Sequence, residues 1–242
     1  MDGEGSKSVG VLQSGSLWEA RTRREFLRVT GFGGAVILLP AMFAACGDDD
    51  DLLGPDPMRP EGEVVLDLST DTGVLNFAYA LEQLEAAFYT RAAQGFSGSN
   101  LSPAEQAVLT DIRNHEVIHR DFLAAVLGGA RIPNLVFDFS SLDFADRVSV
   151  LGAARVLEDT GVAAYNAAAK LLSDVNNLIV AGKIVSVEAR HAAAVRDLLN
   201  PGSRDFAGPD VVDPSGLAQA IEPGFVIEGL LQFISTPILV IS

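Results

Sequence analysis

The sequence predicts an all-α protein, a four-helix bundle with one long crossover and short helices after it. Three observations carry that reading. From about residue 72 onward apolar residues recur at helical intervals, and little alternates like a strand. Clusters of Gly, Ser, Asn and Pro punctuate the chain where such helices would stop. The helical segments also form an internal repeat, a helix with one inward Glu followed by a helix with Glu-x-x-His, which occurs twice.

Before the bundle comes an address. Residues 22–28 read TRREFLR, and the apolar run GFGGAVILLPAMFAA follows at 31–45. At about 15 residues the run is shorter than the roughly 20 needed to cross a bilayer, and it contains Gly and Pro. The pattern resembles a twin-arginine export signal over residues 1–45. The run ends in AAC, which resembles a lipoprotein processing box, so Cys46 is expected to carry the lipid. That implies an exported protein, periplasmic or cell-surface, held to the membrane by its anchor. Residues 46–70, rich in Asp, Pro and Gly, read as a solvated tether.

The chain of 242 residues is 48% hydrophobic and 20% charged, enough to bury a full core in one domain. Its net charge of -15 and scattered basic residues exclude nucleic acid as a partner, because a phosphate backbone would be repelled. One cysteine excludes an internal disulfide, a Cys-rich zinc site and a rubredoxin-type iron centre.

The bundle is expected over residues 71–200. The first helix, TGVLNFAYALEQLEAAFYTRAAQG, places Leu75, Ala78, Leu81, Ala86 and Tyr89 on one stripe. The second starts at a capping box, Ser102 with Glu105 and Pro103 at the first helical position, and runs to the Gly-Gly at 128 and 129. An extended connection at about 130–142 suits a crossover between parallel neighbours. A third helix is expected at about 143–172 and a fourth at about 175–199, closed by Asn200, Pro201 and Gly202. Residues 201–242 read as an extension whose one or two short helices pack on the bundle.

Glu82 is followed by Tyr89, and Glu158 by Tyr165, at the same seven-residue spacing. Glu116 is followed by His119, and Glu188 by His191, three residues on. Residues three apart share a helix face, so each pair can aim a carboxylate and an imidazole at one cation. Only three histidines occur in the chain, and two of them carry this glutamate. Glu82 and Glu158 lie in stretches too apolar for a solvated face, and a carboxylate buried without a cation is costly. The six residues Glu82, Glu116, His119, Glu158, Glu188 and His191 are therefore the candidate metal ligands. Glu85 is a rival for Glu82, which alone matches the repeat's spacing to tyrosine.

The string His115-Glu116-x-x-His119 also matches the zinc-protease signature. A zinc protease needs a third ligand downstream and would leave the other half of the repeat unexplained. His115 is then the spare residue. Tyr89 and Tyr165 are candidates for a hydrogen bond to a ligand or a radical relay, and Asp111, Asp121 and Asp159 for partners of the ligand imidazoles.

This order of Glu, Glu-x-x-His, Glu, Glu-x-x-His over residues 73–199 resembles the ferritin-like superfamily of di-iron and di-manganese carboxylate bundles. The phrase LNFAYALEQLEAAFYTRA is most similar to exported ferritin-like and desiccation-related proteins. The resemblance implies two Fe ions, alternatively Mn, with Glu82, Glu116 and His119 around one and Glu158, Glu188 and His191 around the other. Glu116 and Glu188 would bridge. It implies an oxidoreductase acting on Fe(II), O2 or peroxide; the alternative is a non-catalytic metal-binding or desiccation-protective bundle. Oligomeric state stays open, though a homodimer through a bundle face would be ordinary for this fold.

Overall fold

The structure, a computed structural model, describes residues 62–242. The signal-like segment 1–45, Cys46 and the tether as far as residue 61 lie outside the described residues.

Four long helices form where the sequence places them, and each begins at a side-chain cap. Helix α1 (Asp71–Gly95) starts at Thr70, whose hydroxyl accepts the Gly73 N–H. Helix α2 (Pro103–Leu127) starts at the full capping box of Ser102 and Glu105. Helix α3 (Arg147–Ala168) is capped by Asp146, which accepts from the Ser149 N–H, and α4 (Val175–Leu199) by Asp174, which accepts from Asn176. The third helix is shorter at both ends than its periodicity predicts. Asp143 accepts the Ala145 N–H and Asp146 the Ser149 N–H, so residues 143–146 form a capped turn and not a helical one. At the other end α3 tightens into a 3-10 turn at Ala169–Leu171.

Short connections make α1 with α2, and α3 with α4, close-packed pairs, and the pairs meet through α1 on α3 and α2 on α4. The crossover at 128–146 begins at Gly128, whose φ of 55° favours glycine. It then runs along the outside of α1. Two amides seven residues apart on α1 hold it: Asn76 accepts the Ile132 N–H and donates to the Ala130 carbonyl, while Gln83 accepts the Leu135 N–H. With the bundle on one side and the crossover on the other, α1 is buried almost all round.

The C-terminal extension supplies one short helix, α5 (Pro223–Leu230), and then departs from expectation. Its last segment is a strand, β2 (Ile238–Ile241), paired in parallel with β1 (Val64–Asp67) in the register Val64 to Ile238. Residues 64–67 had read as tether. They are instead part of the folded body, with Leu66 wholly buried. Neither strand is stable alone, and each is specified by a partner far away in sequence. Phe139 of the crossover packs on Phe88 of α1 and on Phe233, each at 6.0 Å between ring centroids, which ties both appendages to the bundle. Arg196 of α4, almost fully buried, donates to both oxygens of Asp159 at 2.8 and 2.7 Å and to Asp210 at 2.7 Å, fastening the 205–210 loop.

Two substitutions test these joints. A Cβ at Gly73 would lie 1.6 Å from the Asp67 carbonyl oxygen, so Gly73→Ala should destabilise the protein by about 3 kcal/mol in urea unfolding despite its better helix propensity. The Asp71 carboxylate accepts from the Ser173 hydroxyl and N–H, the Asp174 N–H and Asn177, joining the start of α1 to that of α4. Led by the Ser173 hydroxyl, those donors hold its pKa below the ordinary 3.8. Its folded pKa is depressed, so its stabilisation is complete above 3.8 and fades as the pH falls toward the folded value. Asp71→Asn should therefore lower stability at pH 7, and the gap from wild type should narrow in acid.

Candidate metal centre

At mid-height the four helices each turn charged side chains inward. Glu82 comes from α1, Glu116 and His119 from α2, Glu158 from α3, and Glu188 and His191 from α4. All four glutamates have 0% exposure. The two histidines lie beside them, with ring centroids 6.3 Å apart. His119 Nδ1 stands 2.8 Å from Glu188 Oε1 and 3.4 Å from both Glu82 Oε2 and Glu116 Oε2. His191 Nδ1 stands 2.7 Å from Glu116 Oε1, 3.5 Å from Glu158 Oε2 and 3.6 Å from Glu188 Oε2. Two overlapping groups result, Glu82, Glu116, His119 and Glu188, and Glu116, Glu158, Glu188 and His191, with the donor atoms of each within 4.8 Å of one another. Glu116 and Glu188 belong to both.

These short contacts lack hydrogen-bond angles. Glu82 Oε2, Glu158 Oε2, both oxygens of Glu116 and of Glu188, and Nδ1 of each histidine are buried without a hydrogen-bond partner. Lone pairs of several residues converge on shared points, as they do around cations that take mixed carboxylate and imidazole ligands. The residues present fit a pair of such ions. Electrostatics points the same way. Burial, then the charge of Glu188, drives the Glu82 pKa well above its ordinary value, and burial pushes Glu158 up to about 8. Burial alone would lower His119 and His191, yet the surrounding carboxylates, Glu116 foremost, raise both to about 12. Burial would likewise raise Glu116, but its contacts with His119 and His191 hold it down at about 2. Positive charge at this spot is what the carboxylates demand.

The two tyrosines complete the arrangement by crossing between halves. Tyr89 donates to Glu158 Oε1 at 2.6 Å, and Tyr165 donates to Glu82 Oε1 at 2.5 Å. Position 82 meets 165 and position 89 meets 158, so α1 and α3 run antiparallel about the centre. Each lone glutamate thus has one oxygen anchored by a phenol and the other turned to the cluster. Burial and the neighbouring glutamates raise both phenols well above their ordinary value, so they stay protonated donors.

The family model of the ferritin-like domain matches residues 70–201, more than half the chain and all four helices. The protein belongs to the ferritin-like domain family. No curated protein matches the chain.

Within this ferritin-like bundle several other residues are now placed. Glu82, and not its rival Glu85, stands beside His119. Glu85 is nevertheless buried, against Gly161, where a Cβ would come within 3.0 Å of its Oε1. Gly161 holds in the second half the position that Glu85 holds in the first. Burial, then the charge of Glu158, raises the Glu85 pKa well above its ordinary value. The three aspartates expected to support the imidazoles do not. Asp159 pairs with Arg196 and Asp121 with Arg120, both taken by nearer cations, and Asp111 makes no hydrogen bond to a ligand histidine. His115 is not spare either: its Nδ1 lies 2.9 Å from His191 Nε2. No local spacing signalled that contact, which joins residues 76 apart in sequence.

Because each phenol fixes a glutamate of the opposite half, Tyr89→Phe should weaken metal binding at the Glu158 position and Tyr165→Phe at the Glu82 position. The expected loss is about tenfold in each case, read by competition with a chelator.

Proposed function

We propose that the chain binds two metal ions, iron first and manganese second, and is an oxidoreductase acting on Fe(II), O2 or peroxide. The observation that carries this is the set of four fully buried glutamates and two imidazoles whose unpartnered lone pairs converge. In this reading Glu82 and His119 hold one ion, Glu158 and His191 the other, and Glu116 and Glu188 lie between them. Two carboxylate-bridged ions of such metals supply electron exchange with O2 or peroxide, which a single zinc does not.

The protein's own groups do the rest. Tyr89 and Tyr165 keep the lone glutamates oriented and place two phenol protons beside the cluster. Complete burial of the carboxylates limits what reaches them to species as small as O2, peroxide or a single ion. No helix among the described residues is long and apolar enough to cross a membrane. We place the protein outside the cytoplasmic membrane, exported by its twin-arginine-like signal and held by lipid on Cys46. The same burial supports a second reading, in which the metal only staples a protective bundle such as a desiccation-related protein and nothing turns over.

Elemental analysis of protein exported through its own signal tests the metal reading. About two Fe or Mn per chain are expected, lost in a Glu116→Ala, Glu188→Ala double variant. One zinc per chain would restore the protease interpretation. A change in absorbance when Fe(II)-loaded protein meets O2 or peroxide marks the oxidoreductase, and its absence leaves the staple.

A further inference from the structure

Besides Glu85 and its counterpart Gly161, the two halves of the site differ outside the histidines. His191 turns Nδ1 toward Glu116, Glu158 and Glu188 and turns Nε2 outward, to His115. The two imidazoles are nearly parallel, 7° between planes, with centroids 5.2 Å apart and nitrogens only 2.9 Å apart. The nitrogen separation falls short of the centroid separation by about two ring radii, so the nitrogens lie on the line between the rings. That is hydrogen-bond geometry and not a face-to-face stack.

Which way the proton points follows from the chemistry of the inner nitrogen. To offer a lone pair to a cation, His191 Nδ1 must carry no proton, so the ring's hydrogen sits on Nε2 and needs an acceptor. His115 Nδ1 is the acceptor within reach, and His115 then keeps its own hydrogen on Nε2. We infer that His115 is a positioning residue that locks His191 in the tautomer and ring orientation able to ligate metal through Nδ1. The inference rests on the metal reading above.

His119 has no such support. Its side chain is 13% exposed, and no hydrogen bond to its outer nitrogen is present among the described residues. In the second half the residue one before Glu188 is Val187, where the first half has His115 before Glu116. The repeat is therefore asymmetric. One imidazole is buttressed by a third histidine across the α2–α4 contact and the other faces water, so the two ions are bound unequally, the tighter at His191.

Fe(II) titrated anaerobically into metal-free full-length protein tests this. Wild type is expected to take up two ions in two steps. His115→Leu should weaken one step by about 10- to 100-fold, the usual cost of losing the partner of a ligating imidazole. His115→Asn, whose Oδ1 restores an acceptor, should recover most of it. The Leu effect should persist with Glu82→Ala, which disables the other position, and vanish with Glu158→Ala. His115 is on the surface, and circular dichroism of each variant should match wild type. Equal affinities in wild type and His115→Leu, equal weakening of both steps, or no rescue by Asn would overturn the assignment. A wild-type protein that binds no Fe(II) would overturn the metal reading itself, a result distinct from all of these.

Discussion

Four glutamate carboxylates share the centre of this bundle with no access to water, and an uncompensated charge in such a place is expensive. Proton uptake offsets part of that cost. The raised values of Glu82 and Glu158 and the protonated histidines show a cluster already drawing in positive charge. Two divalent cations would replace those protons and satisfy the buried oxygens as well. The helices, the phenols and the outer segments all serve to keep six donors at fixed positions around that shared space.

Tyrosine and glutamate tie the two halves together more firmly than helix packing does alone. Each half donates a phenol to the lone carboxylate of the other, so neither half holds its own Glu in place. Departures from this symmetry fall at the edge of the site. Glu85 has a glycine as its counterpart, and the space left by Gly161 is what admits the extra carboxyl group. His115 has a valine as its counterpart and gives one imidazole a partner that the other lacks. The repeat thus differs between its halves at two positions, both beside the candidate metal cluster.

Outside the bundle, the crossover and the C-terminal extension shield α1. The side-chain amides of Asn76 and Gln83 replace the hydrogen bonds that a buried loop would otherwise lack. Phe88, Phe139 and Phe233 form an apolar layer next to Tyr89, so water is kept from the phenol as well as from the carboxylate it holds. The parallel pairing of β1 with β2 then brings the start and the end of the folded body together.

By itself the sequence determined the four helices, because caps and 3.6-residue periodicity are local and Ser102, Pro103 and Glu105 announce a helix start without tertiary help. It also determined which glutamates and histidines could meet, since the spacing of three residues fixes a shared face and the repeat doubles it. Tertiary structure decided what depends on contacts between distant segments. Two four-residue strands at opposite ends of the chain carry no signal until they pair. The true partner of Asp159 is Arg196, 37 residues away, which reaches it only when α4 packs on α3. The phenol crossing between halves and the role of His115 follow from how α1 meets α3 and α2 meets α4, a packing relation that no local spacing encodes.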